Sequence, residues 1–324
     1  MSRRLTTLPS DVVDLLRREF GILTSSLARS AGLDAGRVRR LARAGLLVEL
    51  ARGCYTDAHQ FDDMNAWDRH KIMARAFAIS CDSDSYLTGW SAVVNLGLWT
   101  LGQPPDLPTV VRPRAPGRGP SVTAHGRILV AELPSAHRVR MKRWGMTSTG
   151  WTATNLARTA AVPRALVVAD SALREGANLD DVLPLMRRWD GISRARWVVE
   201  HADGNSESVL ETLGRFTCLE YDLPLPVPNA WVGADEPEKR LDGLWPYHHA
   251  AFEADGGLKY NDRPDAADVV RAQHEREFYL RRLGLDFARF GASETYPDRS
   301  RLADKFRALL RDNPPRAQPI RWWK

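Results

Sequence analysis

The segment from Leu8 to Thr56 most constrains the fold, because glycines divide it into short pieces of helical pattern. Apolar residues recur at helical spacing in three pieces that end at Gly21, Gly32 and Gly45. The runs LLVEL and CYT then flank the tripeptide ARG, as two strands flank the turn of a hairpin. Three short helices followed by a hairpin predict a winged helix-turn-helix, a motif that places its second helix in the major groove of DNA.

The third of these helices carries the basic residues expected of a recognition helix. Asp34 is placed to cap the helix, and Val38 and Leu41 are expected to point inward. The predicted DNA-binding residues of this segment are Arg37, Arg39, Arg40 and Arg43 on the helix and Arg52 at the turn of the hairpin. A small helical bundle with a solvated, arginine-rich face would show the same pattern, and it remains the alternative.

Charge is distributed unevenly behind the formal net charge of +6. Residues 1–56 hold ten arginines against five acidic residues, and residues 112–143 hold eight basic residues against one acid. Residues 200–299 reverse this balance, with twenty acids against eleven bases. A basic surface attracts nucleic-acid phosphates, whereas a local excess of carboxylates is typical of a metal site. Solvated surfaces would account for both biases equally well.

The loop RPRAPGRGP is the basic stretch of the middle region. It is predicted to reach backbone phosphates through three side chains, those of Arg112, Arg114 and Arg118. A solvated connector is the alternative interpretation of this loop.

The length of 324 residues predicts more than one domain. The expected divisions are a winged helix at residues 1–60, a middle domain with a helical connector at 61–200, and a third domain at 201–324. The fold class expected is α/β in the broad sense, that is, a multidomain α+β chain. No apolar run approaches the roughly 20 residues of a membrane helix, and the three cysteines have no CxxC spacing. We therefore expect a cytoplasmic protein that is not bound to a membrane.

Carboxylates in strand-like runs mark the third domain. RLDGLW and HAAFEAD bring Asp242 to the middle of one strand and Glu253 to the end of the next. An unpaired buried carboxylate is costly, so a cation is expected there, and Mg²⁺ is held by one or two carboxylates with water and phosphate oxygens completing its shell. Asp242 and Glu253 are the predicted ligands of Mg²⁺, with Mn²⁺ as a substitute. A helix that begins at Ser206 is expected to carry Glu207 toward them.

Residues 1–175 resemble a family of antitoxins. The segments LARGCY, YLTGWSAVVNLGL, TVVRPRA, GRILVAELPSAHRVRMKRWGMTSTGWTATNLAR and ALVVADSALREG are similar to the AbiEi-like antitoxins of abortive-infection type IV toxin-antitoxin systems. This resemblance implies DNA binding, repression of the protein's own operon, and an antitoxin role toward a nucleotidyltransferase toxin. A second copy of the chain is a further candidate partner.

Residues 206–290 resemble the very-short-patch-repair-like branch of the PD-(D/E)xK nucleases. The resemblance implies a restriction-endonuclease-like mixed sheet flanked by helices. The catalytic residues that it implies are Glu207, Asp242, Glu253, Asp255 and Lys259, and the supporting residues are Arg276 and Arg289. The match departs at one position, because Asp255 stands where the superfamily has its lysine, two residues after the glutamate. Lys259 lies six residues after Glu253.

Two functions follow from these patterns. The first is a DNA-binding protein with a Mg²⁺-dependent endonuclease domain, which would act in genome defence or DNA processing. The alternative is an antitoxin or transcriptional repressor whose nuclease-like domain is catalytically inactive. The carboxylate set favours the first function, and the missing lysine favours the second.

Overall fold

The computed structural model describes residues 7–256 and 266–324, which form two units. The first unit contains residues up to 159 together with 178–195, and the second contains 160–177 together with 196–324. The expected boundary at residue 60 therefore lies inside one unit, and part of the expected connector belongs to the second. Helices and mixed sheets occur in both units, so the α+β class is confirmed. No helix in the described part of the chain is long and apolar enough to cross a membrane.

Residues 10–57 form the predicted helices and hairpin. Their helices are α1 (Ser10–Arg18), α2 (Ser25–Ser30) and α3 (Ala35–Arg43), and their strands are β1 (Leu23–Thr24), β2 (Leu47–Ala51) and β3 (Cys54–Asp57). The strands form a sheet in the order β1-β3-β2. The Asp34 carboxylate caps α3 by accepting a hydrogen bond from the Arg37 N–H at 2.8 Å. Val38 and Leu41 are buried, as the sequence predicts.

The rest of the first unit is built on a six-stranded sheet. Its helices are α4 (Ala58–Asp63), α5 (Ala66–Ser80), α6 (Gly89–Leu96) and α7 (Thr149–Thr159). Its strands are β4 (Tyr86–Leu87), β5 (Thr109–Pro113), β6 (Ser121–Thr123), β7 (Gly126–Ala131), β8 (Arg138–Arg140) and β9 (Gly145–Thr147). They follow the order β6-β7-β5-β4-β9-β8. Phe77 of α5 packs in one buried cluster with Leu87, Val110 and Ile128 of this sheet.

A five-stranded mixed sheet forms the centre of the second unit. The chain passes from the first unit into the second for the last time within α9 (Ile192–His201). Its other helices are α8 (Val162–Arg174), α10 (Val209–Glu220), α11 (Ala266–Arg282) and α12 (Ser300–Asp312). Its strands are β10 (Val227–Val232), β11 (Lys239–Trp245), β12 (Ala250–Ala254), β13 (Asp286–Phe290) and β14 (Trp322–Trp323), in the order β13-β12-β11-β10-β14. The β12–β13 pair is parallel and its neighbours are antiparallel.

Close packing fixes α10 and β11 against the core of the second unit. Phe252 lies in an aromatic cluster with Phe290 and Phe306, at ring separations of 5.4 Å from each. A Cβ at Gly214 of α10 would lie 2.7 Å from Phe290, and a Cβ at Gly243 of β11 would lie 2.3 Å from Phe252. Both positions therefore require glycine for space, which brings the helix and the strand close to these rings.

A buried ion pair joins α8 to α10. Both terminal oxygens of Asp170, which is fully buried, accept hydrogen bonds from Arg215 Nη2 at 3.0 and 2.8 Å. Thr212 and the Asp203 N–H donate to the same carboxylate, each at 2.8 Å. Both oxygens of the acid are thus hydrogen-bonded, although burial still raises the pKa of Asp170. These contacts hold α8 to the second unit.

Candidate functional site

The outer surface of α3 presents three of its four predicted DNA-binding arginines. The side chains of Arg39, Arg40 and Arg43 are exposed on the side of the helix that does not carry Val38 and Leu41. Arg39 Nε donates to the backbone oxygen one turn earlier at 3.2 Å, which extends the side chain along the helix. Arg40 Nη2 lies 3.8 Å from Asp34 Oδ2, and this exposed pair leaves the guanidinium groups of all three arginines open to nucleic-acid phosphates or base edges.

Arg37, the fourth predicted arginine of α3, has a structural contact. Its two terminal nitrogens lie 2.8 and 2.9 Å from the carboxylate oxygens of Asp11 in α1. This pairing lowers the pKa of Asp11, chiefly through the hydrogen bond from Arg37. Arg37 therefore braces α3 against α1, and its guanidinium is shared with an acid.

The turn of the β2–β3 hairpin holds Arg52 beside α2. Gly53 adopts a left-handed conformation with φ of 70°, and its N–H donates to Glu49 Oε1 at 2.8 Å. The Gly53 carbonyl accepts from the Ser25 N–H at 2.8 Å. The turn is thereby fixed next to the start of α2, with the Arg52 side chain exposed.

Two arginines of the middle basic loop, RPRAPGRGP, already have partners within the chain. Arg112 Nε donates to Ser85 Oγ at 2.9 Å, and its Nη2 lies 3.4 Å from Asp82. Arg118 lies 3.5 Å from Asp84, whereas Arg114 is exposed. Arg112 and Arg118 thus help to hold the loop to the sheet.

Asp242 and Glu253 lie on neighbouring strands, as the sequence predicts. The antiparallel register pairs Gly243 with Phe252, so the two acids flank this pair on β11 and β12. Asp242 Oδ2 accepts a hydrogen bond from the Ala254 N–H at 2.7 Å. Burial raises the pKa of Asp242 to about 6, and the negative charges of Glu211 and Glu253 act in the same direction.

Two arginines compensate the buried carboxylate of Glu253. Arg276 donates to Glu253 Oε1 from Nε at 3.0 Å and from Nη2 at 2.7 Å. Arg289 Nη2 lies 3.3 Å from Oε2 of the same side chain. The structure therefore places both predicted supporting arginines on Glu253, each against a different oxygen.

The expectation that a helix begins at Ser206 and carries Glu207 is wrong. Ser208 caps α10, because its Oγ accepts from the Glu211 N–H at 3.2 Å. Glu207 precedes the helix, and its carboxylate pairs with Arg240 at 3.0 and 2.5 Å and with Arg174 at 3.4 Å. Glu207 and Glu211 therefore do not share a helix face.

Glu211 is the helix glutamate whose charge acts on Asp242. It is buried, and its Oε2 accepts from the Glu207 N–H and from Asn229 Nδ2, both at 2.7 Å. In the sequence, Glu211 is visible only as the partner of Ser208 in a capping box. Its position three residues after the cap is what turns it back toward β10.

The remaining predicted catalytic residues follow β12. Asp255 is exposed, and its N–H donates to the Phe290 carbonyl at 2.8 Å, so it extends the pairing of β12 with β13. Lys259 lies outside the residues that the structure describes.

A Mg²⁺ ion held through Asp242 stays a prediction. Within residues 7–256 and 266–324, no group of three or more His, Cys, Asp or Glu side chains could hold a metal ion. Mg²⁺ requires only one or two carboxylates. The buried charge of Asp242 lies close to those of Glu211 and Glu253, and a cation would balance it. Glu253 is available as a second ligand only in competition with its arginines.

Comparison with known proteins supports the interpretation of the N-terminal segment. A family model described as "Transcriptional regulator, AbiEi antitoxin" matches residues 10–56. The AbiEi-like resemblance is thus confirmed for that segment, which supports a DNA-binding regulator. The nuclease-like resemblance of the C-terminal part stays a prediction.

Two curated relatives come from Mycobacterium tuberculosis. They are "Uncharacterized protein MT2308" of strain CDC 1551 / Oshkosh and "Uncharacterized protein Rv2248" of strain ATCC 25618 / H37Rv. Each is 33% identical over 131 residues, which is 39% of this chain and 48% of the relative. The chain therefore spans about half the length of the curated relatives it matches. The crystal structure of the RV2827C protein from the same species has 14% identity and a TM-score of 0.36, and the match covers 59% of this chain and 75% of that one.

Proposed function

We propose that this chain is a DNA-binding transcriptional regulator that places α3 in the major groove of duplex DNA. The observation that carries this proposal is the exposed row of Arg39, Arg40 and Arg43 opposite the buried face of α3. The family match over residues 10–56 supports the same role. In this proposal Arg52, exposed at the tip of the hairpin, is the wing residue that contacts the DNA backbone.

The regulated target in this proposal is the promoter of the protein's own operon. Autoregulation and a nucleotidyltransferase toxin as partner are the finer roles that the AbiEi resemblance implies. Binding to a duplex that spans the upstream region of the gene is the direct test, with a shuffled duplex of equal length as competitor. A preference for the upstream duplex is expected, and equal affinity for both duplexes would contradict autoregulation.

A second candidate function is a Mg²⁺-dependent endonuclease built on the second unit. The observation that favours it is the raised pKa of Asp242, a buried carboxylate beside Glu211 and Glu253. Asp242 and Glu253 would hold the ion, and a bound Mg²⁺ would supply Lewis-acid stabilisation of charge on phosphate oxygens. Within the chain, the Ala254 N–H orients Asp242, and Arg276 with Arg289 orients Glu253.

The arginines on Glu253 favour the opposite outcome, a nuclease-like domain that does not cleave. Each oxygen of Glu253 faces a guanidinium group, which competes with any metal for the same carboxylate. Calorimetric titration with Mg²⁺ and Mn²⁺ separates the two candidates. Saturable binding of either ion that is lost in Asp242→Asn supports the endonuclease. The absence of a heat of binding with both ions supports a regulator whose nuclease-like domain does not cleave.

A further inference from the structure

The tip of the β8–β9 hairpin is joined to the winged helix by a partly buried ion pair. Arg143, in the turn between these strands, places Nη1 2.5 Å from Glu19 Oε2 at the end of α1. Its Nη2 donates to Thr24 Oγ1 at 3.2 Å. The two charged side chains are only 20% and 15% exposed, so solvent screens this pair less than a surface pair.

An aromatic contact strengthens the same joint. Trp144, the next residue, is buried, and its ring meets Phe20 edge to face at 5.3 Å. The guanidinium of Arg75 in α5 also lies over the Trp144 ring, 5.1 Å from its centre. These contacts therefore fix the hairpin tip beside α1 and α2. Lys142, the residue before Arg143, lies in the same turn.

A basic cleft opens where the hairpin tip meets α2 and the wing. The cleft has a volume of about 530 Å³, and its polar and charged lining includes Ser25, Ser26, Arg29, Arg52, Lys142 and Arg143. Its lining contains no acidic residue among those that the structure describes. Lys142 Nζ lies 3.8 Å from Glu19 Oε1, and the other oxygen of this carboxylate pairs with Arg143.

The cleft adjoins a second cavity that lies against the recognition helix. Arg29 lines both this cleft and a neighbouring cavity of about 410 Å³. The neighbouring cavity is also lined by Arg39 of α3. The two adjoining cavities are thus lined by basic side chains from α3 to the hairpin tip, namely Arg39, Arg29, Arg52 and Lys142. Several positive charges along a surface cleft match a phosphodiester backbone better than a small isolated anion.

We propose that this cleft binds a backbone phosphate of the duplex that α3 contacts, and that Lys142 is a DNA-contacting residue outside the winged helix. The inference rests on the proposed DNA-binding function and extends it to the six-stranded sheet. The DNA contact surface would then include the β8–β9 tip, held in place by Arg143 and Trp144. Neither the helix-turn-helix pattern nor the loop RPRAPGRGP indicates this position.

Equilibrium binding of Lys142→Ala to duplex DNA at several salt concentrations tests the proposal. Lys142 is 70% exposed, so its removal should not perturb folding, which a thermal melt verifies. We expect affinity to fall about fivefold for every duplex sequence, and the slope of log affinity against log salt to decrease by about 0.9. Lys142→Arg should retain the affinity. Arg127→Ala, which removes an exposed arginine from β7, is the matched control and should leave the affinity unchanged.

The outcomes separate this inference from the function on which it rests. If the wild type binds duplex DNA and Lys142→Ala binds it with the same affinity and the same salt slope, the inference is overturned. The proposal of a DNA-binding regulator then still stands. Failure of the wild type to bind any duplex would remove both. Inorganic pyrophosphate is the probe for a small ligand: if Lys142→Ala abolishes its binding without changing DNA binding, the cleft serves a small phosphate and the inference is wrong.

Discussion

Arg276 donates two hydrogen bonds, at 3.0 and 2.7 Å, to a single carboxylate oxygen of Glu253. The same guanidinium also donates to the Arg240 carbonyl of β11. Arg276 therefore connects α11 to two neighbouring strands at the point where their acids lie. Glu253 is nearly buried, so its charge depends on this contact and on Arg289 for compensation.

Replacement of Arg276 by alanine should destabilise the second unit. The change leaves the buried Glu253 carboxylate with one arginine, and the free energy of unfolding should fall by about 1–2 kcal/mol, less than for a fully buried pair because Arg276 is partly exposed. Urea denaturation measures the change. Arg281→Ala is the control, because it removes an exposed arginine of the same helix that pairs with Glu277. Equal effects of the two substitutions would contradict the role assigned to Arg276.

The raised pKa of Asp242 predicts that stability falls as the pH rises from about 4 to about 6. Because the folded state binds this proton more tightly than the unfolded chain, the unfolded state releases it first, and the free energy of unfolding declines across that window. Asp242→Asn keeps an acceptor for the Ala254 N–H and removes the titration. The variant should therefore be more stable than the wild type at pH 7.5, with a smaller difference at pH 4. Urea denaturation curves at the two pH values measure this difference. If the free energy of unfolding changes with pH by the same amount in both proteins, Asp242 does not have a raised pKa.

Cleavage assays should distinguish the carboxylates if the endonuclease proposal holds. Wild-type protein should nick plasmid DNA in Mg²⁺ or Mn²⁺ and not in EDTA, and Asp242→Asn should lose activity by at least about 100-fold because it removes the ligand charge. Glu211→Gln should reduce activity, whereas Glu207→Gln should have little effect, because Glu207 pairs with Arg240. Lys259→Ala should reduce activity less than Asp242→Asn. Nicking by Asp242→Asn at the wild-type rate would show that the activity comes from elsewhere.

Local signals in the sequence were sufficient for much of the fold. Glycine positions and the Asp34 cap predict the helices of the winged helix, and strand-like runs predict β10, β11 and β12 with Asp242 and Glu253 adjacent. The start of α10 was predicted at Ser206, too early in the chain, because Ser206 and Ser208 are both residues of a type that caps helices. The structure selects Ser208, whose hydroxyl accepts a hydrogen bond from the Glu211 N–H, so Glu207 precedes the helix and Glu211 is the helix glutamate whose charge acts on Asp242.

Long-range contacts account for what the sequence could not predict. Asp170 pairs with Arg215, 45 residues later, and so assigns α8 to the second unit. Arg143 pairs with Glu19 across 124 residues and brings Lys142 to the winged helix. The sequence alone cannot identify the acidic partner of Arg215 or of Arg143. Many other acidic residues are equally far away along the chain and could pair with the same arginine.

DNA affinity should depend steeply on salt and on the exposed arginines of α3. Each neutralised phosphate contributes about 0.9 log units of affinity per log unit of salt, so Arg39→Ala combined with Arg40→Ala should lower the slope by about 2. Arg37→Ala should instead lower stability, because it breaks the pair with Asp11. Arg301→Ala combined with Arg311→Ala is the matched control, since it removes two exposed arginines from α12. Fluorescence anisotropy between about 50 and 200 mM salt gives the slopes. A slope that is the same for wild type and the α3 double variant would exclude α3 as the DNA-binding helix.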